Sequence, residues 1–240
     1  MRVWVNGVLG GQLPADDPGL QRGQNVFETF RTYGRSPLGF DLHLARLQGS
    51  AELLGIEVPA GLEVELLERC EEDVVVRVML TIAGNRAVQV SPVDPGRIGA
   101  PVRVAPVDLV LPFGFAKHGS RVFAQAFERR LGVDEVLYRD ERGAVLEGSR
   151  SNLFGVVRGV LVTPPADGRI LDGVTRRALL AVCEREGLPF RVDALRLQDC
   201  EEIWLSSTLK ELAPVVLEGT ERSGPVGRGL HRAFQAQRPW

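Results

Sequence analysis

Residues 1–10 (MRVWVNGVLG) alternate apolar and polar positions, which predicts a strand over 2–6 closed by the turn Asn6-Gly7. A second strand is expected over 26–33 (VFETFRTY), turning at Gly34-Arg35 into 37–40. Asp41 is placed to cap a helix of about 41–54, with Leu42, Leu47 and Leu54 as its buried face. A further helix near 62–72 precedes strands at about 74–82 and 87–91. The Pro/Gly-rich stretch 92–100 leads to a strand at 102–106, and 107–116 reads as a connection between two halves.

The second half changes rhythm. A helix near 119–131 is followed by a strand at 133–138 and the turn Asp140 to Gly143. Strands are expected at 144–147, 151–157 and 160–163, then a helix over 174–186. Strands at 189–193, 202–206 and 214–217 precede a helical end at 226–236. Short strands, frequent hairpins and few helices imply an α+β protein rather than a doubly wound parallel sheet.

Composition narrows the classes. The chain has 240 residues, 44% hydrophobic and 25% charged, as a globular protein with a full core requires. Its net charge of −2 gives no global field for nucleic acid or an anionic membrane. No apolar run approaches the roughly 20 residues that span a bilayer, and the first residues lack a signal-peptide core. A soluble, cytoplasmic protein acting on a small molecule is expected. Cys70, Cys183 and Cys200 are widely spaced, which predicts buried reduced thiols and no metal site. Of the 29 basic residues only Lys117 and Lys210 are lysine. Arginine cannot replace a lysine that must lose its proton and attack a carbonyl, so each lysine is a candidate for amine chemistry.

Three motifs carry further chemistry. Gly173-Val174-Thr175-Arg176 heads an amphipathic helix, where unpaired N–H groups and the helix dipole attract an anion. The run Glu147 to Phe154 places a carboxylate and a Gly/Ser/Asn turn between two apolar strands. Trp204-Leu205-Ser206-Ser207-Thr208 is an apolar strand ending in three hydroxyls. Alone, each also fits an ordinary capped helix or solvated hairpin.

In this order, and with Lys117, they resemble the fold-type-IV pyridoxal-phosphate enzymes. That group includes branched-chain aminotransferases, D-amino-acid aminotransferases and aminodeoxychorismate lyase. The likeness also takes in Val26-Phe27-Glu28-Thr29, His43 to Leu47, Asp134-Glu135, Thr163-Pro164 and Leu171 to Arg176. It implies a two-domain, D-amino-acid-aminotransferase-like fold. A small α/β domain would span 1–108, an interdomain loop 109–114, and a larger pseudo-barrel-like, cofactor-binding domain 115–240. It implies that Lys117 carries pyridoxal phosphate and then serves as general base and acid. Glu147 would pair with the pyridine nitrogen, and Arg46, Val174, Thr175, Ser207 and Thr208 would hold the phosphate. A homodimer is implied too. His43 reads as a packing residue and Lys210 as a surface charge.

The chain departs from the pattern in places. Arg22-Gly23-Gln24-Asn25 replaces the usual aromatic and Gly-Asp-Gly, and Val122 and Phe123 stand where branched-chain enzymes carry a tyrosine. The segment from Lys117 to Asp134 is shorter than usual by close to one helical turn. Three features point to aminodeoxychorismate lyase, which eliminates pyruvate to give 4-aminobenzoate for folate synthesis. The chain is short, Lys117-His118-Gly119-Ser120-Arg121 resembles a motif of some lyases, and Arg86 lacks the histidine two residues on that D-amino-acid enzymes carry. The alternative is an aminotransferase for D-amino or branched-chain amino acids; Ser206-Ser207-Thr208 resembles the D-amino-acid enzymes more than some lyases. Arg22, Arg86 and Arg121 are candidates for the substrate's carboxylates.

Overall fold

The computed structural model describes residues 1–237 and separates them into two compact units. One comprises Met1–Asp94 with Ala116–Arg121; the other comprises Pro95–Phe115 with the described residues from Val122 onward.

The first unit runs β1 (Arg2–Val5), β2 (Val8–Leu9), α1 (Pro18–Gln21), β3 (Asn25–Tyr33) and β4 (Ser36–Pro37). Then come α2 (Phe40–Leu53), α3 (Leu62–Glu68), β5 (Val74–Thr81) and β6 (Arg86–Pro92). Its strands form one antiparallel sheet in the order β2-β1-β6-β5-β3-β4. Strand alternation turns Val26, Phe30, Val76, Val78, Leu80, Val88 and Val90 towards Leu47 and Ala51 of α2 and Leu62 and Leu66 of α3. Each large side chain so buried contributes about 2 kcal/mol. Helix α2 starts at Phe40, so its cap lies two residues before Asp41. Gly39, at φ 61°, is its N-cap, and Asp41 sits in the first turn, where its charge still favours the dipole. The buried stripe is Phe40, His43, Leu47, Ser50 and Ala51. Leu42 lies off it and is exposed, so it is not part of the buried face.

The second unit runs β7 (Val102–Asp108), α4 (Val122–Leu131), β8 (Glu135–Arg139), β9 (Val145–Gly148), β10 (Asn152–Val157) and β11 (Val160–Thr163). It continues with α5 (Val174–Glu186), β12 (Phe190–Val192), β13 (Glu202–Ser207), β14 (Glu211–Leu217), β15 (Thr220–Glu221) and α6 (Pro225–Ala236). The sheet order is β12-β11-β10-β13-β14-β7-β8-β9, and β9 pairs back to β10 through Asn152 and Glu147. The path therefore closes on itself, giving the barrel-like sheet expected from the sequence. Val104, Leu137, Leu153, Ile203, Leu205, Ala213 and Val215 belong to its apolar core.

The division differs from 1–108 and 115–240 in two places. Strand β7 belongs with the second unit because both its ladder partners, β14 and β8, lie there. Ala116–Arg121 belongs with the first because it bonds to the start of β3. Residues 238–240 of the larger sequence-predicted domain lie outside the described residues. Among the described residues no helix is long and apolar enough to cross a membrane.

Candidate active site

Lys117 is placed by backbone pairing. Strand β4 covers only the Thr32–Tyr33 end of β3, leaving the other end of that edge open. There the Phe27 N–H donates to the Lys117 carbonyl at 3.0 Å, and the Gly119 N–H donates to the Asn25 carbonyl at 3.0 Å. Ser50 of α2 accepts the Lys117 N–H on its Oγ at 3.0 Å. A Cβ on Gly119 would stand 2.2 Å from Asn25 Oδ1, so only glycine permits this approach.

The lysine shares one aromatic ring with two arginines. Lys117 Nζ lies 4.9 Å from the Phe27 ring centroid, Arg77 Cζ 3.8 Å and Arg121 Cζ 5.1 Å. Phe27 and Arg77 project from the sheet face opposite the apolar core, because their neighbours Val26, Val76 and Val78 face that core. The ring's negative face attracts the cations, whereas they repel one another. Burial, and then the charge of Arg121, lowers the Arg77 pKa. A cluster of this sign and burial is suited to a ligand carrying negative charge.

On the core-facing side of β3, Glu28 is almost fully buried. It accepts from Arg46 Nε at 2.6 Å and from Arg46 Nη2 at 3.0 Å, and His43 Nδ1 lies 2.8 Å from its Oε2. Burial alone would raise the Glu28 carboxyl. The His43 hydrogen bond and the Arg46 charge outweigh it and, with Lys117, hold the pKa at about 2. Burial lowers the His43 pKa, so the ring is neutral at pH 7 and donates its Nδ1–H to Glu28. A carboxyl depressed in the fold stabilises it above the ordinary value of 4.5, and that contribution is lost as pH falls towards about 2. The thermal midpoint should therefore drop between those pH values, and Glu28→Gln should flatten that part of the profile. An unchanged slope in the variant would contradict the assignment.

In the second unit, Glu147 lies one residue before the end of β9, where the barrel closes. Its Oε2 accepts from Asn152 Nδ2 at 3.3 Å and from the Leu171 N–H at 3.1 Å. Asn152 is fixed in turn by the Leu171 carbonyl, 2.7 Å from its Nδ2. Helix α5 begins at Val174, as the sequence predicts. Its N-cap Gly173 has no side chain to satisfy the first-turn N–H groups, which leaves an anion-favouring helix end. A Cβ on Gly173 would come within 1.9 Å of Asn152 Oδ1, so the glycine lets the helix start pack against Asn152. Thr175 and Arg176 are buried in that first turn; Arg176 is held by Thr163 Oγ1 at 3.2 Å and the Pro164 carbonyl at 2.9 Å. Ser206 Oγ is buried with no hydrogen-bond partner among the described residues; Ser207 and Thr208, which follow it, are half-buried.

The sequence-predicted residues fall into distinct places. Lys117, Arg46 and Arg121 lie in the first unit, and Glu147, Val174, Thr175, Ser207 and Thr208 in the second. Arg22 is exposed at the end of α1. Arg86 points to the helix-covered side of its sheet, where Nε bonds Glu65 Oε2 of α3 at 2.6 Å. Phe27 and Glu28 stand in a segment that carries the resemblance but have no role assigned from sequence, and Arg77 and Ser50 are not singled out by it. Arg77 did leave a signal, as the one charge inside the apolar strand VVVRVML. Lys210 is not a surface charge: its ammonium pairs with the fully buried Glu135.

Residues 25–217 match the model of the family described as amino-transferase class IV. The chain is 28% identical to the branched-chain-amino-acid aminotransferase of Salmonella typhimurium, over 97% of this chain and 91% of that protein. Among solved structures it is similar to a hypothetical aminotransferase from Mycobacterium tuberculosis in its PLP-bound form. That likeness has TM-score 0.84 and 27% identity, and covers 98% of each chain. A Legionella pneumophila protein proposed to be a 4-amino-4-deoxychorismate lyase shares the fold, with TM-score 0.79, 21% identity, and coverage of 94% of this chain and 95% of that one. Enzymes of the matched family depend on pyridoxal phosphate.

Proposed function

Because the chain belongs to the class IV aminotransferase family, we propose that it is a pyridoxal-phosphate-dependent 4-amino-4-deoxychorismate lyase. The residues present fit the cofactor. Helix α5 offers an uncapped N-terminus to a phosphate, and Glu147 is a buried carboxylate oriented through one oxygen by Asn152 and Leu171. Lys117 would carry the cofactor, and Glu147 would pair with its pyridine nitrogen. The N–H groups of Val174 and Thr175 and the hydroxyls of Ser207 and Thr208 would bind the cofactor's phosphate, and Arg46, braced by Glu28, would supply a guanidinium to it. When bound, pyridoxal phosphate supplies an electron sink for the pair left by a broken C–H bond beside an amino group.

The observation that carries the lyase reading is the cluster of Arg77, Lys117 and Arg121 around Phe27. Aminodeoxychorismate carries two carboxylates and one amino group. Arg77 and Arg121 take carboxylates, since guanidinium matches a carboxylate in two hydrogen bonds, and Lys117 works at the amino-bearing carbon. Arg86 is left out, because it points to the helix-covered face of the sheet, away from the Phe27 cluster, where it bonds Glu65. Lys117 removes the proton at C4 and delivers one to the departing enolpyruvyl group. Pyruvate leaves, and the ring becomes aromatic as 4-aminobenzoate.

The aminotransferase names of several relatives favour a second reading, transfer of an amino group from D-amino or branched-chain amino acids. The two are separated by adding such amino acids to the holoenzyme without another substrate. The lyase reading expects no stoichiometric 2-oxo acid on the timescale of turnover; one equivalent per site would favour the aminotransferase.

A further inference from the structure

We infer that Lys210 is a positioning residue for Glu147, acting through Glu135 and Ser151. The inference rests on the proposed pairing of Glu147 with the cofactor's pyridine nitrogen.

The turn Gly148 to Ser151 links β9, which ends just past Glu147, to β10, which starts at Asn152. That turn is held from below by Glu135, the first residue of β8. Glu135 Oε2 accepts the Arg150 N–H at 3.0 Å, and Oε1 accepts the Ser151 hydroxyl at 2.9 Å. The Lys210 ammonium bonds the same Oε1 and lies 3.2 Å from Ser151 Oγ. Ser207 Oγ accepts the Lys210 N–H at 3.4 Å. One side chain therefore ties the Ser207–Lys210 turn to the turn that carries Glu147 and its partner Asn152.

The charge arithmetic makes the lysine necessary. The Glu135 side chain is 1% exposed, and a lone carboxylate there would be strongly disfavoured. Without the ammonium the carboxylate would draw in water or swing away from the turn. Either change weakens its hold on the Arg150 N–H and the Ser151 hydroxyl. Asn152 follows directly, and its Nδ2 bonds Glu147 Oε2. Freed of that restraint, Glu147 would meet the pyridine nitrogen less well.

The site also explains why this position keeps one of the chain's two lysines among 27 arginines. A compact ammonium on a flexible stem fits between one carboxylate oxygen and one hydroxyl, whereas a planar guanidinium fork does not.

The test compares Lys210→Met, Ser151→Ala and Glu147→Gln as holoenzymes by three readouts. These are the pH midpoint of the bound cofactor's absorbance change, cofactor affinity by equilibrium dialysis, and kcat against KM. Glu147→Gln should shift the midpoint and fixes the scale. Lys210→Met is expected to move it in the same direction, weaken cofactor binding about 10-fold, and lower kcat about 10-fold with KM changed less than threefold. Ser151→Ala removes the hydroxyl without stranding a charge and should show a smaller shift of the same sign. If Lys210→Met does not fold, Ser151→Ala alone decides. A shift in Glu147→Gln with wild-type midpoints in the others overturns the inference while leaving the Glu147 reading intact. No shift in Glu147→Gln overturns both.

Discussion

Lys117→Ala is expected to lose about four orders of magnitude in kcat, equivalent to about 5 kcal/mol of transition-state stabilisation. The size follows from the two roles proposed for this one side chain: holding the cofactor and moving the proton at the reacting carbon. General acid–base catalysis alone is worth roughly 10²–10⁴-fold. Lys117→Arg should be no better, because guanidinium stays protonated and cannot act as the amine. The Phe27 N–H bond to the Lys117 carbonyl, the Lys117 N–H bond to Ser50 Oγ and the Gly119 N–H bond to the Asn25 carbonyl do not involve the amine, so both variants should fold with a thermal midpoint close to wild type. Stopped assays of product and melting curves on the same preparations check this. Retention of more than about one per cent of kcat in Lys117→Ala would remove the lysine from the reaction.

Substitution of Arg77 and Arg121 gives the second large effect. Truncating one partner of a charged, partly buried hydrogen bond costs about 1.5–3 kcal/mol, or roughly 10–150-fold. Arg77→Met should raise KM for aminodeoxychorismate within that range and change kcat less than about fivefold, and Arg121→Met should act likewise. The double variant should fall short of additivity, since removing one arginine relieves the repulsion felt by the other. A substrate analogue lacking one carboxylate should be less sensitive to at least one of the two substitutions. Equal sensitivity for both substrates would mean that neither arginine reads a carboxylate. Unchanged KM in both variants would remove the cluster from the substrate site.

Much of the fold was legible because the period of the apolar pattern is a local property. Helix α5 and strand β11 run over the residues the sequence predicts, and β3, β5 and β10 differ by a residue at their ends. What the pattern could not show is long-range pairing. The pairing of β10 with β13, which carries the sheet round so that it can close, depends on partners far along the chain. So does the placing of β7 between β14 and β8. The start of α2 was misjudged because Asp41 is a good cap by residue type, yet Gly39 could adopt the left-handed backbone that starts the helix earlier.

The candidate site divides in the same way. Residues inside contiguous motifs, such as Glu147 and Thr175, could be named from their neighbours in sequence. Residues whose role depends on what stands across a sheet could not. Arg77 gains significance only from Phe27 on the adjacent strand, and Glu28 only from Arg46 on a helix. Lys210 shows the limit most clearly. Composition flagged it, its neighbours suggested a solvated loop, and a partner 75 residues away decides the matter.

The most direct measurement supplies enzymatically generated aminodeoxychorismate to the holoenzyme and follows 4-aminobenzoate and pyruvate together. The account predicts many turnovers, one pyruvate for each 4-aminobenzoate, no amino acceptor required, and no product from Lys117→Ala. Absence of both products from a fully loaded enzyme that readily converts D-amino or branched-chain amino acids to their 2-oxo acids would contradict it.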